Sequence, residues 1–500
     1  MNSTTFKASS FRNTLSLLLG PALFLLIINL SLPEGMTAEA LAVLACTAWI
    51  STWWITEPIP IPATSLLPIV IFPLSGALGL NQTTSQYGNP IIFLFLGGFI
   101  VAIAMEKWNL HKRIALNIIH LVGTNQRKIV LGFMLATAFL SMWISNTATA
   151  MMMLPIGVSI TMQLTSFSGE GPISAGNKFG KALMLGIAYS ASIGGLATLV
   201  GTPANAILVA VVGQQFQMEI SFLQWMLLGV PVTFVLLFIC WFYLVRVSFP
   251  LHNEKSQNGK AEIESQLAIL GRISTEEKWV LAVFAFTALA WLTRTFVLNR
   301  FFPELDDSMI AMFGAILLFL IPASSTQNKE KLLDWSIAEK IPWGILLLFG
   351  GGLAIALGFK DSGLAAWIGT KMTLLQGVSV LLIFLTIIAV INFLTEITSN
   401  TATATMMLPV LSSLALAIDI HPFGPMVAAC MASSCAFMLP VATPPNAIVF
   451  GSGFIKMQDM IRTGFVLNLI SVVVLTLAVY YLLPVVWHID VLSLPAELKP

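Results

Sequence analysis

The sequence predicts an all-α polytopic membrane protein. About 11 transmembrane helices form two inverted repeats, each with a re-entrant helical hairpin and a broken helix. Three observations carry this reading. The 500 residues are 57% hydrophobic and only 9% charged, whereas a soluble domain carries about 25% charged residues. Stretches free of Asp, Glu, Lys and Arg recur at bilayer-spanning length, as in Asn13–Pro33, Ser221–Val245, Ser308–Gln327 and Thr463–Trp487, where roughly 20 apolar residues suffice for one crossing. Finally, one polar stretch occurs twice: Ser145-Asn146-Thr147-Ala148-Thr149-Ala150 returns as Ser399-Asn400-Thr401-Ala402-Thr403-Ala404. At this offset Ala138–Ile156 and Asn392–Val410 are identical at 12 of 19 positions.

The first half, residues 1–250, opens with a retained helix at Leu15–Leu32, since no small-residue cleavage site follows its apolar run. Further helices are predicted at Ala38–Ile55, Ile59–Gly79 and Pro90–Met105, then a short amphipathic piece at Ile114–Gly123. No residue from Ile129 to Gly169 is charged. This run fits a hairpin over 129–163, with the first triplet at its tip inside the membrane. The next charge-free run is too long for one straight crossing and contains Gly201-Thr202-Pro203-Ala204-Asn205. Thr is a good N-cap and Pro suits a first helical turn but breaks an interior. The helix over 182–213 should therefore break there and restart at Thr202. Phe222–Val245 closes this half.

Residues 251–278 form the only long polar segment, a linker or surface helix between the halves. The second half, 279–500, repeats the order. Helices at Trp279–Leu298, Ser308–Ile321 and Pro342–Phe359 precede a hairpin over 376–418 and a broken helix over 422–453. The break is at Ala442-Thr443-Pro444-Pro445-Asn446, and a last helix runs over Thr463–Val486. The Gly-rich runs at Leu94–Ala104 and Leu347–Leu357 resemble each other and suit close helix packing. If the N-terminus is cytoplasmic and each hairpin returns to its own side, 19 of the 24 Lys and Arg residues lie inside, as the positive-inside rule requires. The linker is then cytoplasmic, the C-terminus outside, and the repeats are inverted.

Three adjacent polar side chains at membrane depth need protein, water or a ligand as partners. A helix start offers free N–H groups and about half a positive charge, which favours carboxylates. Four such starts are expected, after Asn146 and Asn400 and at Thr202 and Thr443. The helical arms that precede them end in free carbonyls, which with Ser, Thr and Asn oxygens suit a hard cation such as sodium. No Lys or Arg lies near either triplet, so bound cations must supply much of the countercharge of an anionic substrate. A single triplet would read as interhelical glue; a duplicated triplet paired with a duplicated Thr-Pro motif reads as a site. Glu396, three residues before the second triplet, suits a hairpin anchor better than a proton relay, because the first half has Met142 there. Glu57 reads as structural. An intramembrane enzyme would need a nucleophile with a base, or metal ligands, near the triplets, and none is found there. A passive channel would not need inverted repeats around a closed site. No Walker A sequence is present, and a net charge of +1 gives no argument for nucleic acid. The four cysteines, Cys46, Cys240, Cys430 and Cys435, lie in apolar segments and form neither a disulfide framework nor a zinc site.

The paired SNT triplets, each followed by a TPxN-type motif, resemble the divalent anion:sodium symporter family, also called the INDY family, over nearly the whole chain. The resemblance implies a bacterial-type dicarboxylate transporter of the plasma (inner) membrane, with no cofactor and with sodium as coupling ion. It also implies a homodimer in which a transport domain, built from hairpins and broken helices, moves as an elevator against a scaffold. Carried over by position, one sodium would lie at Ser141, Ser145, Asn146 and the Gly201 backbone. The other would lie at Thr395, Thr398, Asn400 and the Ala442 backbone. Substrate carboxylates would meet Asn146, Thr147, Asn400 and Thr401, with Thr202, Pro203, Thr443 and Pro444 alongside. Substrates in the family are succinate, malate and fumarate, or in some members citrate, tartrate or sulfate, and some relatives exchange dicarboxylates without sodium. Ala204 departs from the family's usual second Pro, present here as Pro445, which implies a looser first broken helix.

Overall fold

The structure is a computed structural model that describes residues 3–123, 125–165, 177–251, 257–324, 330–372 and 377–498. The first linker residues, 252–256, and residue 376 of the expected second hairpin lie outside these. The named elements are helical, and an isolated antiparallel bridge joins Pro322 and Lys331.

The first half runs α1 (Ser3–Ile28), α2 (Ala38–Thr56), α3 (Ile61–Thr64), α4 (Leu67–Ser75), α5 (Leu80–Ser85), α6 (Pro90–Lys107) and α7 (Leu110–Val122). It continues with α8 (Gln126–Ser141), α9 (Asn146–Thr165), α10 (Lys178–Gly195), α11 (Pro203–Phe216) and α12 (Phe222–Phe242). The linker holds α13 (Gln257–Leu270). The second half runs α14 (Thr275–Thr293), α15 (Asp307–Leu320), α16 (Trp335–Ala338), α17 (Trp343–Asp361), α18 (Leu364–Met372), α19 (Val380–Leu394) and α20 (Asn400–Ala417). It ends with α21 (Phe423–Ser433), α22 (Pro444–Phe450), α23 (Met457–Leu477) and α24 (Leu483–Trp487). Among the described residues, seven helices are long and apolar enough to cross a membrane, and five apolar helices are shorter.

Three expectations are corrected. The Ile59–Gly79 segment is not one crossing but α3 and α4, because the ring of Pro68 clashes with the carbonyl of residue 64, where α3 ends. Helix α1 begins at Ser3 and stops at Ile28, earlier at both ends than Leu15–Leu32. Helix α14 begins at Thr275 rather than Trp279. Ser274 caps it by accepting the Glu277 N–H at 3.1 Å, and two acidic residues in the first turn suit the helix dipole.

The two chain ends of the bundle are tied by different sets of polar contacts. At one end Lys107 pairs with Asp334 (3.1 Å), Lys181 with Asp459 (2.8 Å) and Arg113 with Glu277 (2.5 Å). There Glu262 of α13 also accepts from Ser159 Oγ at 2.7 Å and Gln163 Nε2 at 2.5 Å. The linker is therefore anchored to α7 and α9 rather than free. At the other end Arg294 binds Asp307 (2.7 Å) and Glu219, and Lys360 donates to Gln214 O at 2.7 Å. Glycines set the closest helix approaches: a Cβ on Gly97 would lie 2.5 Å from the Ala311 backbone, and one on Gly351 2.6 Å from Ser65 O. The halves interlock around the motifs. Helix α22 packs on α9 and α10, and α11 packs on α17 and α20.

Candidate functional site

Each motif becomes a helix start. Helix α9 starts at Asn146 and α20 at Asn400. Thr202 and Thr443 are extended N-cap residues, with Pro203 and Pro444 opening the helices that follow. The reasons are local. Ser145 Oγ accepts the Ala148 N–H at 3.2 Å, and Thr443 Oγ1 accepts the Asn446 N–H at 3.3 Å. The breaks themselves are held by asparagines that sequence reasoning left without a role. Asn205 Nδ2 donates to Gly195 O (3.1 Å) and Thr198 O (2.7 Å). Asn446 Nδ2 donates to Ala436 O (3.2 Å) and Leu439 O (3.0 Å). Both are fully buried, and each ties together two carbonyls of the interrupted segment, where the regular helical ladder is broken.

The four starts converge on one cavity of about 550 Å³. All eight expected substrate residues line it: Asn146, Thr147, Thr202, Pro203, Asn400, Thr401, Thr443 and Pro444. Ser145, Gly201, Thr398 and Ala442 of the expected sodium sets line it too. Phe95, Phe99 and Ile345 complete the wall from the helices opposite. Pro445 faces the cavity, whereas Ala204 is buried away from it. Helix α11 still starts at Pro203 and runs to Phe216, so the departure at Ala204 leaves the first break and its helix start in place.

Behind the wall lie two matched oxygen clusters. Ser141 Oγ is 2.5 Å from Asn146 Oδ1 and 2.6 Å from Ala191 O. Thr395 Oγ1 is 2.6 Å from Asn400 Oδ1 and 2.8 Å from Ser433 O. A hydroxyl has one proton, so in each cluster one acceptor is left over. The same face of the Asn146 amide also looks onto Ala191 O (3.2 Å) and Gly201 O (3.3 Å). Two arrangements satisfy this corner. With the amide nitrogen inward, Asn146 donates to the surrounding oxygens. With the amide oxygen inward, four oxygens share this corner with one hydroxyl proton among them, the donor chemistry that suits a hard cation. Ser141, Asn146 and Gly201 are thus brought together, and Thr395 with Asn400. Ser145 serves as a cap, and Thr398 Oγ1 is engaged by Leu394 O (2.9 Å) and Thr403 Oγ1 (2.6 Å). The carbonyls of Ala191 and Ser433 escaped sequence reasoning because a backbone oxygen leaves no residue-type signal.

The transmembrane region described for sodium:sulfate symporters matches residues 12–488 of this chain. The chain belongs to the sodium:sulfate symporter family. The resemblance carried by the duplicated motifs, to the divalent anion:sodium symporters, is borne out. Within the family, the sodium-dependent dicarboxylate transporter SdcS of Staphylococcus saprophyticus is 49% identical over 496 residues, which covers 99% of this chain and 95% of that one. SdcS of Staphylococcus aureus gives the same identity and the same coverage. Two solved structures are similar in fold. The YdaH transporter of Alcanivorax borkumensis has a TM-score of 0.58 at 13% identity, covering 91% of this chain and 100% of that chain. MtrF of Neisseria gonorrhoeae has a TM-score of 0.54 at 13% identity, covering 80% and 83%. The chain is therefore a membrane transporter rather than an enzyme.

Proposed function

We propose that the protein carries dicarboxylates of the succinate, malate and fumarate class across the plasma (inner) membrane, coupled to sodium. The observation that carries this is the cavity on which four helix starts converge without a single Lys or Arg on its wall, backed by two buried clusters in which a hydroxyl, an Asn amide and a backbone carbonyl meet. The helix starts hold the carboxylates by their free N–H groups and partial charge. One sodium sits among Ser141, Asn146, Ala191 O and Gly201 O, with Ser145 close by. The other sits among Thr395, Asn400 and Ser433 O, with Thr398 and Ala442 close by. Each ion then neutralises one end of the dianion. Sodium also sets the direction of the Asn146 amide: its oxygen turns to the ion and its nitrogen turns to the substrate. An ion and a substrate that share one amide bind with mutual, reciprocal benefit.

The transport unit comprises the hairpins and broken helices. It moves as an elevator against the remaining helices in a homodimer of about 11 crossings per protomer. The N-terminus is cytoplasmic and the C-terminus outside, in accord with the gathering of Lys107, Arg113 and Lys181 at the linker end. The deciding experiment is uptake of labelled succinate into proteoliposomes, with and without an inward sodium gradient and with and without internal succinate. Accumulation that needs sodium and not internal succinate is expected. Equal uptake with sodium replaced by choline would leave an exchanger instead.

A further inference from the structure

One charged side chain lines the site cavity: Glu57. It caps the C-terminus of α2 in a left-handed conformation, with φ of 45°, which a non-glycine residue seldom adopts. Its side chain is exposed and has no hydrogen-bond or ion-pair partner among the described residues. The second half offers a contrast. Trp54-Ile55-Thr56-Glu57 ends α2 as Trp291-Leu292-Thr293-Arg294 ends α14, so Glu57 and Arg294 follow equivalent helices. Arg294 is buried and tied to Asp307 and Glu219, a structural role. Glu57 has no such role to explain its charge. The smaller cavity that adjoins the site and shares Phe99, Ser145, Thr147 and Ile345 with it is lined by one charge of each sign, Glu106 and Lys340. Glu57 is therefore the net fixed charge that a bound anion meets.

We propose that Glu57 is a charge selector, which sets the upper limit on the charge of the cargo. This rests on the dicarboxylate reading above. A dianion brings two negative charges and two sodium ions bring two positive ones, so the loaded site is neutral and Glu57 is indifferent to it. A trianion of similar size, such as fully ionised citrate, leaves one negative charge against the Glu57 carboxylate. At a separation of about 10 Å and an effective dielectric of about 20–40, that repulsion weakens binding by about tenfold. The carboxylate stands on the segment that joins α2 to α3, which carries none of the sodium or substrate groups, so it selects without holding the cargo.

The test measures binding of succinate and of fully ionised citrate to the purified protein by calorimetry in saturating sodium, which does not depend on turnover. The variants are Glu57→Gln, Glu57→Asp and Glu57→Asn, the last because Asn tolerates the left-handed conformation and should fold at least as well. The preference for succinate over citrate is expected to fall about tenfold in both neutral variants and to persist in Glu57→Asp. An unchanged preference in Glu57→Gln and Glu57→Asn overturns the proposal. So does an equal loss in Glu57→Asp, which would make shape rather than charge the cause. Failure of the underlying reading looks different: succinate then binds to Asn146→Ala and Asn400→Ala as it does to the unaltered protein, whatever the Glu57 ratio.

Discussion

Glu396 Oε1 accepts the side-chain amide of Asn468 at 2.7 Å, joining the second hairpin to α23. The same buried carboxylate takes the backbone N–H groups of Phe437 (2.7 Å), Met438 (2.9 Å) and Leu439 (3.0 Å) in the break that follows α21. The break between α21 and α22 spans residues 434–443, against 196–202 between α10 and α11. The longer excursion exposes more N–H groups, and a carboxylate is the acceptor that satisfies several at once.

Glu396→Ala strands four donors, two of them fully buried. A hydrogen bond to a charged group is worth roughly 1.5–3 kcal/mol, so the thermal midpoint should fall substantially. The sodium and succinate constants of the surviving protein should stay near normal. A melt indistinguishable from that of the unaltered protein would refute the anchoring role. A lost sodium dependence with an unchanged melt would move Glu396 into the coupling machinery.

Asn146→Ala and Asn400→Ala each remove an amide that lines the cavity and bonds to the buried hydroxyl behind it. Loss of one charge-assisted hydrogen bond weakens binding by about tenfold to hundredfold. Both the succinate constant and the sodium concentration for half-saturation should rise in each variant. Asn146→Asp should spare sodium binding better than succinate binding, since it keeps the inward oxygen and sets a negative charge against the substrate. Sodium and succinate titrations of one purified preparation decide the matter, and normal constants in both alanine variants would remove these residues from the site.

The side of the linker is open to chemical labelling. Ser265 is exposed on α13, and the native Cys46, Cys240, Cys430 and Cys435 are all buried. A Ser265→Cys variant should resist an impermeant thiol reagent in intact cells and react once the membrane is opened. Full labelling of intact cells would reverse the orientation.

His421 lies in the turn between α20 and α21, buried, with Nδ1 accepting the Phe423 N–H at 3.2 Å. Burial lowers its pKa from 6.5 to about 4, although the nearby Asp490 carboxylate pulls the other way. The unfolded chain therefore binds the proton more readily, and stability falls as pH drops from about 6.5 toward 4. A His421→Gln variant should show a flatter decline over that range in thermal melts at stepped pH. Parallel declines would assign the acid sensitivity to other groups.

The sequence by itself determined the helical class, the two breaks at the Thr-Pro motifs, and the four helix starts. These are local matters. Charge-free length, a Thr-Pro start and a repeated triplet are written in neighbouring residues, and hydrocarbon admits few alternative backbones. Tertiary structure decided what depends on distant partners. It split the Pro-rich third segment at Pro68, seated the linker helix on α9 through Glu262 and on α7 through Arg113, and set Asn205 and Asn446 to close the two breaks. It also set Glu57, which reads from the sequence as structural, on the cavity wall. The carbonyls of Ala191 and Ser433 belong to the same class. A backbone oxygen or an unpaired carboxylate acquires its role only from what the fold sets opposite it, and a residue's neighbours in sequence do not record that.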